Sequence, residues 1–317
     1  MNIRLPTYLL NKFISTLKKN NEKLLMLFNS FSNNTIQTPI YGISRSLLAF
    51  GTLITFIFSN EKILFDPDIN FSNRYVKTIF DDINFFFLFD FDNLIYARFI
   101  TIIILIIVIS GIYPRFTGVF HWWISFSWFQ AGALVEGGDQ ITAVITFLLI
   151  PITILDKRTS HWGTDETNNN YILNFVSYLF LFLIKLQICF VYFHAAVEKI
   201  YKVPEWVDGT AIYYFFKDPV FGYPDWMDPF LSLIIESKIV FFITWGTILF
   251  ELILAGAFFM DNNKKVYLYP LGIIFHLIIW LIFGLSSFFF AMAGALTLYL
   301  IPVSYYKLIN KKHTFLQ

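Results

Sequence analysis

Long unbroken apolar runs recur through the whole chain. The clearest, Ile100-Thr101-Ile102-Ile103-Ile104-Leu105-Ile106-Ile107-Val108-Ile109, holds no charge. A helix needs about 20 mostly apolar residues to cross the hydrocarbon core of a bilayer. Eight stretches approach that length, near 45–59, 96–113, 118–135, 139–155, 171–195, 239–259, 266–284 and 286–302. The expected fold is therefore all-α, a polytopic transmembrane bundle of about eight spans. The composition agrees, with 57% hydrophobic, 21% aromatic and 14% charged residues. A soluble domain carries about 25% charged residues, so too little polar surface is left here for a water-exposed globule. A net charge of +1 argues for no nucleic-acid partner, and a single cysteine, Cys189, allows no internal disulfide.

Three divisions follow. Residues 1–44 are basic, with apolar residues at helical spacing, and read as amphipathic helices on the membrane surface or as a loosely ordered tail. Residues 45–302 form the membrane domain, with long outer loops at 60–95 and 196–238. Residues 303–317 form a basic tail. Within the first loop Phe85-Phe86-Phe87-Leu88-Phe89 is too short to span and is expected at the interface. Lysine and arginine mark the inner face. With both termini inside, the inner segments hold Arg115, Lys157, Arg158, Lys264, Lys265 and the basic ends, while the longer outer segments are poorer in them. In a bacterium this places the chain in the plasma membrane.

Ionisable groups inside spans are costly and face the bundle interior. Arg98, Lys185, Glu251 and His276 are such groups, with Gln187 beside Lys185. Lys185 and Glu251 either pair to lock helices or serve catalysis or transport. His276 shares a face with Trp280 and is expected to donate to a carbonyl. No His-x-x-x-His, Cys-x-x-Cys or carboxylate cluster has metal-site spacing, and no Gly-rich phosphate loop appears.

Two outer segments stand out. In Glu136-Gly137-Gly138-Asp139-Gln140, two glycines between carboxylates either let backbone approach a ligand or make a helix hairpin with Asp139 as N-cap. The second runs from His194 through Glu198, Lys199 and Lys202 to Trp206-Val207-Asp208-Gly209. Glu198 and Lys202 form an i,i+4 pair. Lys199 either snorkels toward water or points inward and acts as a base.

The order Lys185-x-Gln187, Tyr192-Phe193, Ala195-Ala196-Val197-Glu198-Lys199 and Trp206-Val207-Asp208-Gly209, followed by Trp245-Gly246, Glu251 and Phe275-His276, resembles the transmembrane part of vitamin K-dependent gamma-carboxylase and the wider HTTM group. Within that group the chain is most similar to SdpB-like proteins, the membrane component of sporulation-delaying-peptide toxin systems. The resemblance implies that Lys199 is a base, with Glu198 in place of the carboxylase's first lysine. It implies a reduced quinone as cofactor. The turn holds Asp139-Gln140 where the carboxylase has its carboxylation histidine, so the resemblance implies either quinone-linked chemistry other than carboxylation or an inherited helix end without catalysis.

Three functions follow. The first is maturation of a small secreted antimicrobial peptide at the outer face, with an SdpA-like partner and the secreted precursor. Lys199, Glu198 and Asp139 would line the site, and Glu136, Gly137, Gly138, Gln140, His194, Trp206 and Asp208 its rim. The second is a non-enzymatic scaffold, immunity or export component. The third is a quinone-dependent membrane enzyme.

Overall fold

The computed structural model describes residues 35–65, 79–163 and 170–303. The expected surface helices before residue 35 and the basic tail after 303 lie outside the described residues.

Eight long helices alternate in direction: α1 (Pro39–Phe58), α2 (Leu94–Ser110), α3 (Pro114–Ala131), α4 (Gly137–Ile154), α5 (Tyr171–Lys202), α6 (Ile239–Gly256), α7 (Leu268–Phe283) and α8 (Ser286–Leu300). No strand occurs among the described residues; there is one isolated bridge, Ile112 to Ser160. Among the described residues six helices are long and apolar enough to cross a membrane. The two others are α3, where Trp, His and Gln dilute the apolar sequence, and α8, which is shorter. The chain is a polytopic helical membrane protein. The end where α1 starts and α8 finishes is called the terminal face below, and the opposite end the loop face.

Local chemistry sets the boundaries. Proline opens α1 and α3 within their first turn, where a missing N–H costs nothing. Gly111 (φ 81°) ends α2 and Gly284 (φ 73°) ends α7 in the left-handed conformation. Helix α1 begins at Pro39, before the expected 45, so Arg45 lies inside it. At its other end, Arg98 donates to the carbonyls of Phe56 and Ile57, at 2.7 and 3.0 Å, and covers groups the helix leaves unbonded.

Helix α8 occupies the centre, against α1, α4, α5 and α7. Every residue from Ala291 to Leu300 is buried. Small residues bring it close to α1: Ser44 donates to the Gly294 carbonyl at 2.7 Å. A Cβ on Gly51 would lie 2.9 Å from the Ser287 carbonyl oxygen. Such contacts suit helices in lipid, where van der Waals packing drives association.

On the loop face, Phe86 is buried and stacks on Phe56 with ring centroids 5.6 Å apart. Phe85 and Phe86 thus belong to the core of the α1–α3 half, while Leu88 of the same run is exposed. Phe65 and Trp128 complete this aromatic cluster. Residues 203–238 fold into short helices whose Trp206, Ile212, Phe216 and Ile235 pack with Ala196 and Ile248. This cap sits over the loop-face ends of α5 and α6.

Candidate functional site

Helix periodicity builds the principal site. On α5, Tyr192, Ala196 and Lys199 fall at i, i+4 and i+7, on one face. On α6 the buried residues Thr244, Ile248, Glu251 and Ala255 repeat in the same way. The two stripes meet. Lys199 Nζ donates to both carboxylate oxygens of Glu251, at 2.8 and 2.9 Å. The side chains are 20% and 10% exposed. After α5 the chain leaves the helix at Val203 and restarts at Pro204, which swings Trp206 over Lys199, its ring centroid 5.2 Å from Nζ. The ammonium is thus held between a carboxylate and an aromatic face, both favourable to positive charge.

One expectation changes here. Glu251 pairs with Lys199 and not with Lys185, which forms no hydrogen bond or ion pair among the described residues. Lys185 lies one turn from Cys189, whose thiol reaches the Ala255 carbonyl at the terminal-face end of α6, beyond reach of Glu251. Of the two readings of Lys199, the side chain turns inward to Glu251 while staying 20% exposed.

Beside this pair, the Tyr192 hydroxyl and His276 Nε2 are 2.8 Å apart, both residues buried. His276 therefore meets a hydroxyl and not the expected carbonyl. Its Nδ1 is buried and has no hydrogen-bond partner among the described residues. The ring packs edge-on against Phe288 at 5.4 Å, and Trp280 stacks on Phe289 at 5.1 Å, so both face α8 as their spacing requires.

The Glu136–Gln140 segment starts α4 as a capping box. Glu136 is the N-cap, and Asp139, at the third helical position, accepts from the Glu136 N–H at 3.0 Å. Asp139 is therefore not the N-cap. Glu136 also accepts from the Ser287 hydroxyl. Burial pushes its carboxyl above the ordinary range, against the hydrogen bonds from Ser287 and the Phe288 backbone. A Cβ on Gly138 would lie 2.6 Å from Phe288 Cα. The backbone these glycines admit is that of α8. Gln140 is exposed. No hydrogen bond or ion pair joins Glu136 or Asp139 to Lys199.

The remaining residues lie around the rim. Glu198 is half-exposed and pairs with Lys202 and His194 on the outside of α5. Asp208 is exposed. Gln187, on α5 near Lys185, is half-buried and makes no side-chain hydrogen bond among the described residues. Gly209 (φ 76°) leaves room for Phe241, whose Cδ2 would lie 2.1 Å from a Cβ there. Among the described residues no three His, Cys, Asp or Glu side chains converge on a metal-sized position.

A second polar cluster, which the sequence reading did not single out, lies near the terminal face. Arg45 Nη1 meets His161 Nδ1 at 3.1 Å, and Nη2 donates to Thr117 Oγ1 at 3.1 Å. His161 belongs to the segment 155–163 after α4. Arg158 in that segment holds both oxygens of Asp156, at 2.9 and 2.8 Å, and reaches the Gly163 carbonyl at 2.7 Å. The His161 N–H donates to the Gly111 carbonyl at 3.0 Å. Cβ atoms on Gly42 and Gly111 would lie 2.9 and 2.4 Å from the His161 ring, so the two glycines form its cradle. Burial, then Arg45 and Arg158, hold His161 down at about 3, so the ring is neutral. The available sequence signal was Arg45 itself, a charge one turn inside an apolar helix.

No family model matches the chain, and no solved structure matches it. Two curated relatives do, both from Bacillus subtilis (strain 168). YitO is 33% identical over 290 residues, 87% of this chain and 92% of the relative. The sporulation-delaying protein SdpB is 38% identical over 267 residues, 83% of this chain and 81% of the relative. At that identity and coverage, with helices at the expected positions, the chain belongs to the SdpB family.

Proposed function

We propose that this protein is the membrane component of a sporulation-delaying-peptide type of system. It acts in maturing a small secreted antimicrobial peptide at the loop face, with an SdpA-like partner. All eight long helices cross the bacterial plasma membrane, the termini are cytoplasmic, and the loop face is extracytoplasmic. The observation that carries this reading is Lys199, held toward the bundle by Glu251 beneath Trp206, in a chain 38% identical to SdpB. Such a lysine can pass its proton to the carboxylate that already accepts its hydrogen bonds and then act as a base toward a peptide group brought to the loop face. Asp139 and Glu136 support the site by fixing α4 on α8. Glu198, Trp206 and Asp208 form its water-facing rim.

The experiment is replacement of Lys199 by Ala and by Arg, with mature peptide measured in the medium and the variants quantified in the membrane. Loss with Ala and no rescue by Arg is expected. Normal peptide output from a normally expressed Lys199→Ala protein removes Lys199 from any mechanism.

A second reading is a non-enzymatic scaffold, immunity or export component. It is favoured by the carboxylates already engaged in the capping box and in the Glu198 pairs. It predicts that no single alanine replacement over 136–140 or 194–209 abolishes output, while partner contact is essential. The resemblance to the HTTM carboxylases adds a reduced quinone as a co-reactant to be sought in purified protein.

A further inference from the structure

The cap on the loop face ends in a helix, Asp228–Ile235, entered through the turn Asp225–Met227. Its 8 residues extend about 12 Å, far short of the roughly 30 Å hydrocarbon core. Its side chains divide into three arcs. Leu231 and Ile235 point inward and pack with Trp206 and Phe216 of the cap. Asp225, Asp228, Ser232 and Glu236 recur at i, i+3, i+7 and i+11 and form a polar arc. The Tyr223 hydroxyl donates to Asp228 at 2.6 Å, and the Lys217 ammonium lies 3.5 Å from the same carboxylate oxygen. Trp226, Phe230 and Leu233 recur at i, i+4 and i+7 and form the third arc. They are 70%, 72% and 73% exposed.

An apolar arc with Trp, Phe and Leu beside a strongly polar one is the pattern of a helix lying in a membrane interface. The connection of this helix says what covers it. Only Glu236, Ser237 and Lys238 separate it from α6, one of the six helices able to span. Three residues reach at most about 10 Å, so the helix stays where α6 leaves the bilayer. The face of α6 turned away from Lys199 carries Phe242, Leu249 and Ile253, all exposed on the bundle and therefore turned to lipid. A Cβ on Gly246, within that face, would meet nothing within 4 Å.

We propose that the helix Asp228–Ile235 lies along the loop-face leaflet. Trp226, Phe230 and Leu233 enter the boundary between headgroups and acyl chains, about 5–10 Å deep, and the acidic arc stays in water. That arc offers anionic lipid no attraction, so apolar contact alone seats the helix. Leu231 and Ile235 belong to the same cluster as Trp206, so the leaflet braces the cap that holds Trp206 over Lys199. The contact does not depend on the role of Lys199.

The test uses the full-length protein in nanodiscs of phosphatidylcholine, which carries no net charge. In a Cys189→Ser background, Phe230→Cys, Leu233→Cys and Ser232→Cys each carry a nitroxide. Collisions with oxygen, which concentrates in lipid, are compared with those of a water-soluble nickel chelate. The oxygen-to-nickel ratio is expected to be several-fold higher at positions 230 and 233 than at 232. A second measurement introduces no cysteine. Phosphatidylcholine brominated near the top of its acyl chains should quench Trp226, read as the difference between the parent protein and Trp226→Phe. Equal ratios at the three positions would put the arc in water and overturn the proposal. Labels at 230 and 233 shielded from both reagents overturn it too, because protein then covers the arc. If the labelled variants do not fold, Trp226 decides, and emission untouched by the brominated lipid overturns the proposal.

Discussion

Lys199 and Arg45 are both basic side chains drawn inside the bundle, one toward each face, and they are satisfied in opposite ways. Lys199 reaches across to a carboxylate on a neighbouring helix, with an aromatic ring as its lid. Arg45 meets a neutral imidazole and a hydroxyl. The lysine carries its charge on a flexible stem as a single point, which one carboxylate can neutralise. The guanidinium is a rigid planar fork with donors spread around it, which several neutral acceptors can share. The first arrangement leaves a proton-transfer pair that touches water. The second makes a closed structural knot.

Breaking the lysine side gives the largest expected effect. Glu251→Ala strands Lys199 without a counter-charge, and removing one partner of a buried pair costs up to about 3–5 kcal/mol. Partial exposure of this pair lowers that figure. The double replacement Lys199→Met with Glu251→Leu should recover most of the melting temperature. If the pair is catalytic, the double variant still secretes no mature peptide. Recovery of both stability and peptide would make the pair purely structural.

Next comes the support of the site. Gly138→Ala sets a methyl against the Phe288 backbone and should cost about 1–3 kcal/mol, the usual range for overpacking. The thermal melt should show it, whereas Gly137→Ala, which meets only a ring edge at 3.8 Å, should be much milder.

The arginine side is probed by pH. His161 is held at about 3 in the fold against 6.5 unfolded. The unfolded chain therefore binds the extra proton between those values. The stability is fully present above 6.5 and is lost as pH falls toward 3. Between pH 7 and 5 this loss amounts to about 2 kcal/mol. The difference between the parent protein and His161→Asn, measured across that interval, isolates it from the carboxylates. A difference that does not change with pH would mean that the imidazole is not held neutral. The smallest effect belongs to Glu198→Gln. Its partners are water-exposed, and the melting temperature should not move measurably, so any loss of peptide from that variant would speak for function alone.

The legibility of the molecule divides in the same way. The helices were readable because hydrocarbon demands long apolar segments and the turns announce themselves with Pro and Gly. The i,i+4 pair of Glu198 and Lys202 was readable because both ends lie on one helix. Lys199 was legible only as a choice between water and interior, because its partner lies on α6, 52 residues away. Lys185 competes for that partner in sequence, because two opposite charges in apolar helices invite pairing and sequence carries no depth. Arg45 was passed over because it sits where a basic residue would normally mark a membrane boundary.

The sequence by itself therefore determined the membrane setting, the helices and their alternating order, since each depends on composition and spacing along one segment. Only the tertiary structure decided that Lys199 belongs to Glu251, that the glycine turn admits α8, and that a segment after α4 folds back to bury Arg45. Those outcomes depend on which helix faces meet and at what depth. That is a property of the packed bundle, fixed by small residues such as Gly51, Gly138 and Gly294, where backbones touch.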